Sequence, residues 1–184
     1  MSLVLGFVGW PCAGKDVAAE YFRRRYSAMW WGHSNFIRAR AAEMKIESPT
    51  TDQLSALFEA RASHQGHGWI ARIVCDRVRK FREAEPETLV VITGVRNLDE
   101  VAQYRTLSGF KLVELRADRE LRFQRWCERA RPSDGQPTLS QFDAIEQLDG
   151  NRNVPDVLAL TDRVVENNGS LDDFYRALET LVKT

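Results

Sequence analysis

The sequence predicts an α/β fold, a three-layer α/β/α domain on a parallel sheet of about five strands. Three observations predict it. The runs "LVLGFV" (3–8) and "LVVIT" (89–93) are strand-sized and almost wholly apolar, as strands covered on both faces must be. Segments with a 3.6-residue apolar period alternate with such runs. The first run also passes into a helix through the glycine-bounded loop "GWPCAGKD" (9–16), a strand-turn-helix junction.

The elements follow in order. Leu3 to Val8 is the first strand, and the next helix repeats apolar residues at Val17, Ala18, Tyr21 and Phe22 on one face. "SAMWWGHS" offers a short second strand in which Trp30 and Trp31 read as packing residues. "NFIRARAAEMKI" is helical up to "ESPT", where Pro49 breaks it and Thr51 is placed to cap another helix ending near "HQGHG". Ile70, Ile73, Val74, Val78 and Phe81 share a helical face, "EAEPET" turns, and Leu89 to Thr93 is a strand. Asn97 caps a helix reaching Leu107, and Gly109 turns the chain into the strand "FKLVEL". Arg119 to Arg131 is a two-faced helix: Phe123, Trp126, Cys127 and Ala130 on one side, Arg122, Arg125 and Arg129 on the other. After the loop "RPSDGQPT", Ser140 caps a short helix and Pro155 sits at the first position of another. "DRVVEN" is the last strand, turned by Asn168-Gly169. Ser170 then caps a final helix that sets Leu171, Phe174, Tyr175, Leu178 and Leu181 on the sheet. No repeat, low-complexity segment or linker interrupts this order, so residues 1–184 read as one domain.

Composition narrows the function classes. Lys plus Arg and Asp plus Glu number 26 each, so no global field favours nucleic acid or an anionic membrane, and any anion site has to be local. Cys12, Cys75 and Cys127 are too far apart for a C-x-x-C motif, and their odd number argues against a disulfide framework, which fits a reducing cytoplasm. The N-terminus enters a strand directly, and no apolar run is long enough to span a bilayer, so neither a signal peptide nor a membrane span is expected. His64 and His67 form an H-x-x-H, but the glycines around them argue for a loop over a metal site. Oligomeric state is not legible.

Gly9 to Asp16 carries the strongest signal. Its spacing, G-x-x-x-x-G-K, is that of the phosphate-binding loop (Walker A). There Gly9 and Gly14 let backbone amides converge on phosphate oxygens, the helix N-terminus adds partial positive charge, and Lys15 adds a full one. Pro11, Cys12 and Ala13 fill the loop without disturbing the pattern, and Val17 continues it into the helix. A thiol reagent at Cys12 would block the site without that residue having a catalytic role. Position 16, which normally carries a hydroxyl, is Asp16.

Five segments, "GWPCAGKD", "SNFIRARAAEMKIESPTTDQL", "VVITGVRNLDEV", "RFQRWCERARPSD" and "DRVVENNGSLDDF", together resemble the P-loop kinases of nucleoside monophosphates and dephospho-coenzyme A. The chain is most similar to the small adenylate-kinase-related proteins known from archaea. The resemblance spans nearly the whole chain and implies a P-loop NTPase fold with a small helical lid near 119–140, using ATP and Mg2+. It implies that Arg96 of "TGVR" and Arg38 of "NFIRAR" hold the acceptor. Arg122, Arg125, Arg129 and Arg131 resemble lid arginines that neutralise the transferring phosphoryl group, and Asn167 and Gly169 resemble the loop edging the adenine. Related kinases end the third strand in a magnesium-holding aspartate where this chain has Thr93, so hydroxyl and carboxylate have traded places with Asp16.

A bare carboxylate beside the phosphates would repel them by on the order of several kcal/mol at intermediate dielectric, so Asp16 makes sense with a cation between, Thr93 orienting a metal-bound water. Two other accounts stay open: an aspartate variant that needs no partner, and a protein that binds ATP and turns it over slowly. The expected activity is phosphoryl transfer from ATP to a small acceptor, most simply a nucleoside or deoxynucleoside monophosphate. The alternatives are dephospho-coenzyme A kinase, for which "SAMWWGHSNF" offers no clear carboxylate base, and an ATP-binding regulator.

Overall fold

The computed structural model describes residues 3–129, 138–148 and 153–183. Its strands are β1 (Val4–Val8), β2 (Met29–Gly32), β3 (Val90–Thr93), β4 (Phe110–Arg116) and β5 (Arg163–Glu166). The helices among these residues are α1 (Lys15–Tyr26), α2 (His33–Glu43), α3 (Thr51–Gln65), α4 (Trp69–Ala84), α5 (Leu98–Tyr104), α6 (Arg119–Arg129), α7 (Leu139–Glu146), α8 (Val154–Leu158) and α9 (Leu171–Glu179). The strands form one parallel sheet in the order β2-β3-β1-β4-β5.

Period-two alternation explains the two helical layers. On β1, Val4 and Val8 face a core shared with Ile70, Val74 and Val78 of α4 and Val101 of α5. Leu5 and Phe7 face the opposite core, with Ala18, Ala19 and Phe22 of α1 and Phe174 and Leu178 of α9. The register aligns Phe7 with Thr93 and Thr93 with Gly32, so β1, β3 and β2 end together at one edge. Ligands of open parallel sheets bind at that carboxyl edge.

Several local expectations shift. Thr50, not Thr51, caps α3, and Thr138, not Ser140, caps α7; each accepts the N3 amide in a full capping box, as Asn97 and Ser170 do for α5 and α9. A serine or threonine one residue away offers the same hydroxyl, and only the backbone direction chooses between them. Helix α5 ends at Tyr104 rather than Leu107, and Pro155 falls within the first turn of α8. Val17 is 42% and Leu171 54% exposed: both lie in the first turn of a helix that overhangs the sheet edge, where helical periodicity has no core to meet. Of the lid expected at 119–140, residues 130–137, Arg131 among them, fall outside the described residues. No helix among the described residues is long and apolar enough to cross a membrane.

Candidate active site

A cleft of about 1320 Å³ opens at the carboxyl edge of the sheet, between the loop after β1, the first turns of α1 and α2, the loop after β3, and α3 and α6. The loop of residues 9–14 has an internal polarity. Its carbonyls are engaged by side chains beyond the loop: Lys15 Nζ donates to Gly9 O at 2.7 Å and to Trp10 O at 2.8 Å, which also accepts the Ala13 amide, Arg122 Nη1 to Pro11 O at 3.3 Å, and Asn167 Nδ2 to Ala13 O at 2.9 Å. Helix α1 starts at Gly14 with no side-chain cap, as do α2, α4 and α8, whereas α3, α5, α7 and α9 carry capping boxes. The amides of its first turn are therefore left for an outside acceptor, and the helix dipole favours an anion there.

Two glycines are sterically required. Gly14 has φ of 101°, and a Cβ on it would meet Asn167 Nδ2 at 2.4 Å; a Cβ on Gly9, at φ of 151°, would meet Leu115 O at 2.4 Å. Cys12 takes the left-handed region without being glycine, at φ of 61°.

Positive charge gathers at the loop. Burial first, then the guanidinium of Arg96, push the Lys15 ammonium down from 10.5 to about 8, against Asp16 and Cys12, which raise it. Burial lowers Arg96 in turn, countered by Glu100 and Asp16, so Lys15, Asp16 and Arg96 lie within Coulombic reach of one another. Arg125 donates through Nη2 to Asn167 O at 2.8 Å, while its buried Nη1 has no partner among the described residues. An unpaired guanidinium nitrogen in the wall of a phosphate-shaped loop fits an anionic ligand.

The arginines expected on a lid divide. Arg125 and Arg129 line the cleft, but Arg122 is 5% exposed and built into the scaffold. Its Nε donates to Ala117 O at 3.1 Å, it pairs with Glu146 of α7, and it lies over the Trp10 and Phe142 rings. Asn167 is likewise occupied, bonded to the loop and to Arg125, while Gly169, Val17 and Leu171 line the cleft at that end.

At the β3 side, the Trp30 indole donates to Thr93 Oγ1 at 3.0 Å, so Trp30 is more than a packing residue: it orients the one hydroxyl on that strand end. Asp16 is exposed at the cleft wall. No cluster of three or more His, Cys, Asp or Glu side chains suited to a metal ion occurs among the described residues, His64 and His67 included; His67 pairs with Glu59 at 3.2 Å. A magnesium ion between Asp16 and Thr93 would take most of its octahedral shell from phosphate oxygens and water. One carboxylate and one hydroxyl suit that role.

The far half of the cleft mixes apolar and cationic walls. Ile37, Leu54, Phe58 and Ile70 supply the first; Arg38 and Arg96, neither guanidinium hydrogen-bonded among the described residues, supply the second. His33 and Glu100 also line this half, and both are buried. Sequence reading missed His33 and Glu100, and also Arg122 and Asn167 as clamps of the loop.

No family model matches this chain. A UPF0200 protein of Hyperthermus butylicus is 29% identical over 180 residues, 98% of this chain and 93% of that protein. One from Thermococcus gammatolerans is 26% identical over 185 residues, 98% and 94% of the two chains. A UPF0200/UPF0201 protein of Archaeoglobus fulgidus is longer, and the matched region covers 54% of it. Among solved structures, the fold is shared with shikimate kinase from Bacteroides thetaiotaomicron (TM-score 0.62, 15% identity, 97% of this chain and 96% of that one). It is also shared with shikimate kinase from Acinetobacter baumannii in complex with shikimate (TM-score 0.61, 14% identity, 100% and 92%).

Proposed function

We propose that the protein is an ATP- and Mg2+-dependent phosphotransferase whose acceptor is a small phosphate-bearing molecule, most simply a nucleoside or deoxynucleoside monophosphate. The observation that carries this reading is the polarity of the loop at residues 9–14: carbonyls engaged by side chains beyond the loop, first-turn amides uncapped, Lys15 at its end. Lys15 and the first-turn amides would hold the ATP phosphates. Arg125, Arg129 and Arg131 would neutralise the transferring group, and Val17, Leu171 and the loop at 167–169 would face the nucleoside. Magnesium, when bound, would supply charge neutralisation to the phosphates, with Asp16 as its protein contact and Thr93 acting through a bound water. Arg38 and Arg96 would hold the acceptor phosphate.

The buried groups of the acceptor half support a phosphate acceptor over the ribose hydroxyl of dephospho-coenzyme A, which benefits from a carboxylate base. The one buried carboxylate there, Glu100, is already engaged by two backbone amides and His33, and both His33 ring nitrogens have partners. Positioning and charge neutralisation then suffice, and no general base is needed. The balanced charge supports a small-molecule partner rather than nucleic acid or membrane, and three cysteines spaced far apart in the sequence fit a cytoplasmic setting.

Transfer of labelled γ-phosphate from magnesium-ATP to each ribo- and deoxyribonucleoside monophosphate and to dephospho-coenzyme A tests this. A labelled nucleoside diphosphate is expected. Label only on coenzyme A moves the assignment to that kinase, and ATP binding with no labelled product moves it to a regulator, with Thr93 the first residue to restore to aspartate.

Asp16→Ala tests the metal reading. Because Asp16 is exposed, its repulsion of a bare triphosphate is about 1 kcal/mol, well below the value for a buried site. The variant is expected to bind magnesium-free ATP about fivefold more tightly than wild type and to lose most of its magnesium dependence. Equal affinity for magnesium-free ATP, measured by calorimetry, would show that Asp16 faces no phosphate.

A further inference from the structure

His33, the first residue of α2, is 5% exposed and stands between two side chains one turn apart on α5, Glu100 and Tyr104, which are 1% and 0% exposed. Its Nδ1 lies 3.2 Å from Glu100 Oε1, and its Nε2 meets the Tyr104 hydroxyl. Burial, then Glu100, push the Tyr104 phenol well above its ordinary value, so it keeps its proton. In the neutral tautomer that carries its proton on Nδ1, the ring turns an N–H towards the Glu100 carboxylate and can accept the Tyr104 hydroxyl at Nε2. The other Glu100 oxygen accepts the amide of Arg96 at 2.7 Å and that of Asn97 at 3.3 Å. A continuous chain thus runs from a phenol through an imidazole and a carboxylate to the backbone of Arg96.

Sterics lock the same contact. Gly94 sits at φ of 93°, and a Cβ there would come 2.9 Å from His33 Cβ, so the imidazole is seated directly against the backbone that leads to Arg96. Helix α2 also packs on α3 and β2, and Arg77 of α4 lies over its Phe36 ring. Arg38 rides on α2 and Arg96 on the loop after β3.

We propose that His33 is a positioning residue that sets the acceptor half of the cleft, pinning the root of α2, and with it Arg38, to the loop that carries Arg96. This rests on the reading of that half as an acceptor site. The bond pattern fits the role: a buried carboxylate and imidazole are costly compared with apolar packing, and their benefit is one fixed geometry. His33 is not a base here, since neither ring nitrogen is open to a ligand.

The test compares wild type with His33→Ala, His33→Asn and Tyr104→Phe. Asparagine restores a donor near Nδ1 but cannot reach Tyr104; phenylalanine removes one hydroxyl and keeps the packing, so it is expected to fold even if alanine does not. His33→Ala is expected to raise KM for the nucleoside monophosphate by about tenfold with the ATP dissociation constant within about twofold of wild type. His33→Asn is expected to recover most of that loss, and Tyr104→Phe to raise acceptor KM by about threefold. Parallel loss of ATP affinity in Tyr104→Phe, or an unchanged acceptor KM in folded variants, overturns the proposal. Hydrogen exchange separates its failure from that of the kinase reading. If wild type phosphorylates no acceptor, the kinase reading fails, yet faster exchange in Tyr104→Phe confined to the first turn of α2 and residues 94–97 still supports the pin, and unchanged exchange there overturns it.

Discussion

Lys15→Met is expected to lower kcat/KM for phosphoryl transfer by about 10³-fold while leaving the fold intact. Methionine keeps the apolar stem of lysine to within one atom and removes the ammonium, its charge and its N–H donors together. In the free protein that charge is held by the carbonyls of Gly9 and Trp10 and crowded by burial and by Arg96 and Arg122, which bring it to about 8. A polyphosphate in the loop would relieve this crowding and raise the value, so proton uptake is coupled to binding. The affinity for ATP is therefore full below about pH 8 and falls as pH climbs through 8 towards the ordinary lysine value of 10.5. Calorimetric titration at pH 7 and pH 9.5 should show weaker binding at the higher pH in wild type and none of that weakening in Lys15→Met. A flat wild-type profile would mean that Lys15 does not meet the phosphates.

Gly9→Ala is expected to cost about 3 kcal/mol of stability and to remove ATP binding. The added Cβ would meet the Leu115 carbonyl oxygen at 2.4 Å, and φ of 151° is a region that alanine avoids. Leu115 belongs to β4, which pairs with β1 up to Glu114 and with Val165 of β5 at Leu115 itself, so the carbonyl cannot retreat without disturbing the β4–β5 pairing. The loop has to move instead, taking with it the carbonyls that hold Lys15. For a chain of 184 residues this corresponds to a melting temperature roughly 6–12 °C lower. Gly66→Ala is the control: that glycine also has positive φ, at 77°, but a Cβ there meets nothing within 4 Å, so only the backbone cost remains and ATP binding is kept. Equal losses in both variants would show that the close approach to Leu115 is not what requires glycine at position 9.

Chain order and chemistry at short range were legible from residues alone. The strands read as apolar runs because a parallel sheet is covered on both faces. Asn97 and Ser170 declared helix starts because a capping side chain and the amide it bonds lie three residues apart. The glycine loop at residues 9–14 read clearly for the same reason: its glycines, lysine and helix start lie together in one short stretch of chain.

What went unread depends on partners distant in sequence. Arg122 falls on the polar face of its helix and reads as a lid arginine, yet the loop carbonyl it holds lies 111 positions earlier and its acid 24 positions later. Asn167 looks like a loop residue beside a ligand until it is seen spanning 154 positions to Ala13. Val17 and Leu171 follow the helical period into an expected core, but their turns overhang the sheet edge and meet the cleft.

The sequence by itself thus determined the alternating elements, the parallel sheet and the glycine-bounded loop between β1 and α1, since hydrophobic period, capping and glycine geometry act over a few residues. Only the tertiary structure decided which arginine clamps and which faces the cleft, that Trp30 orients Thr93, and that His33 joins α2 to α5. These depend on burial and on hydrogen-bond partners that meet only once the five strands lie side by side.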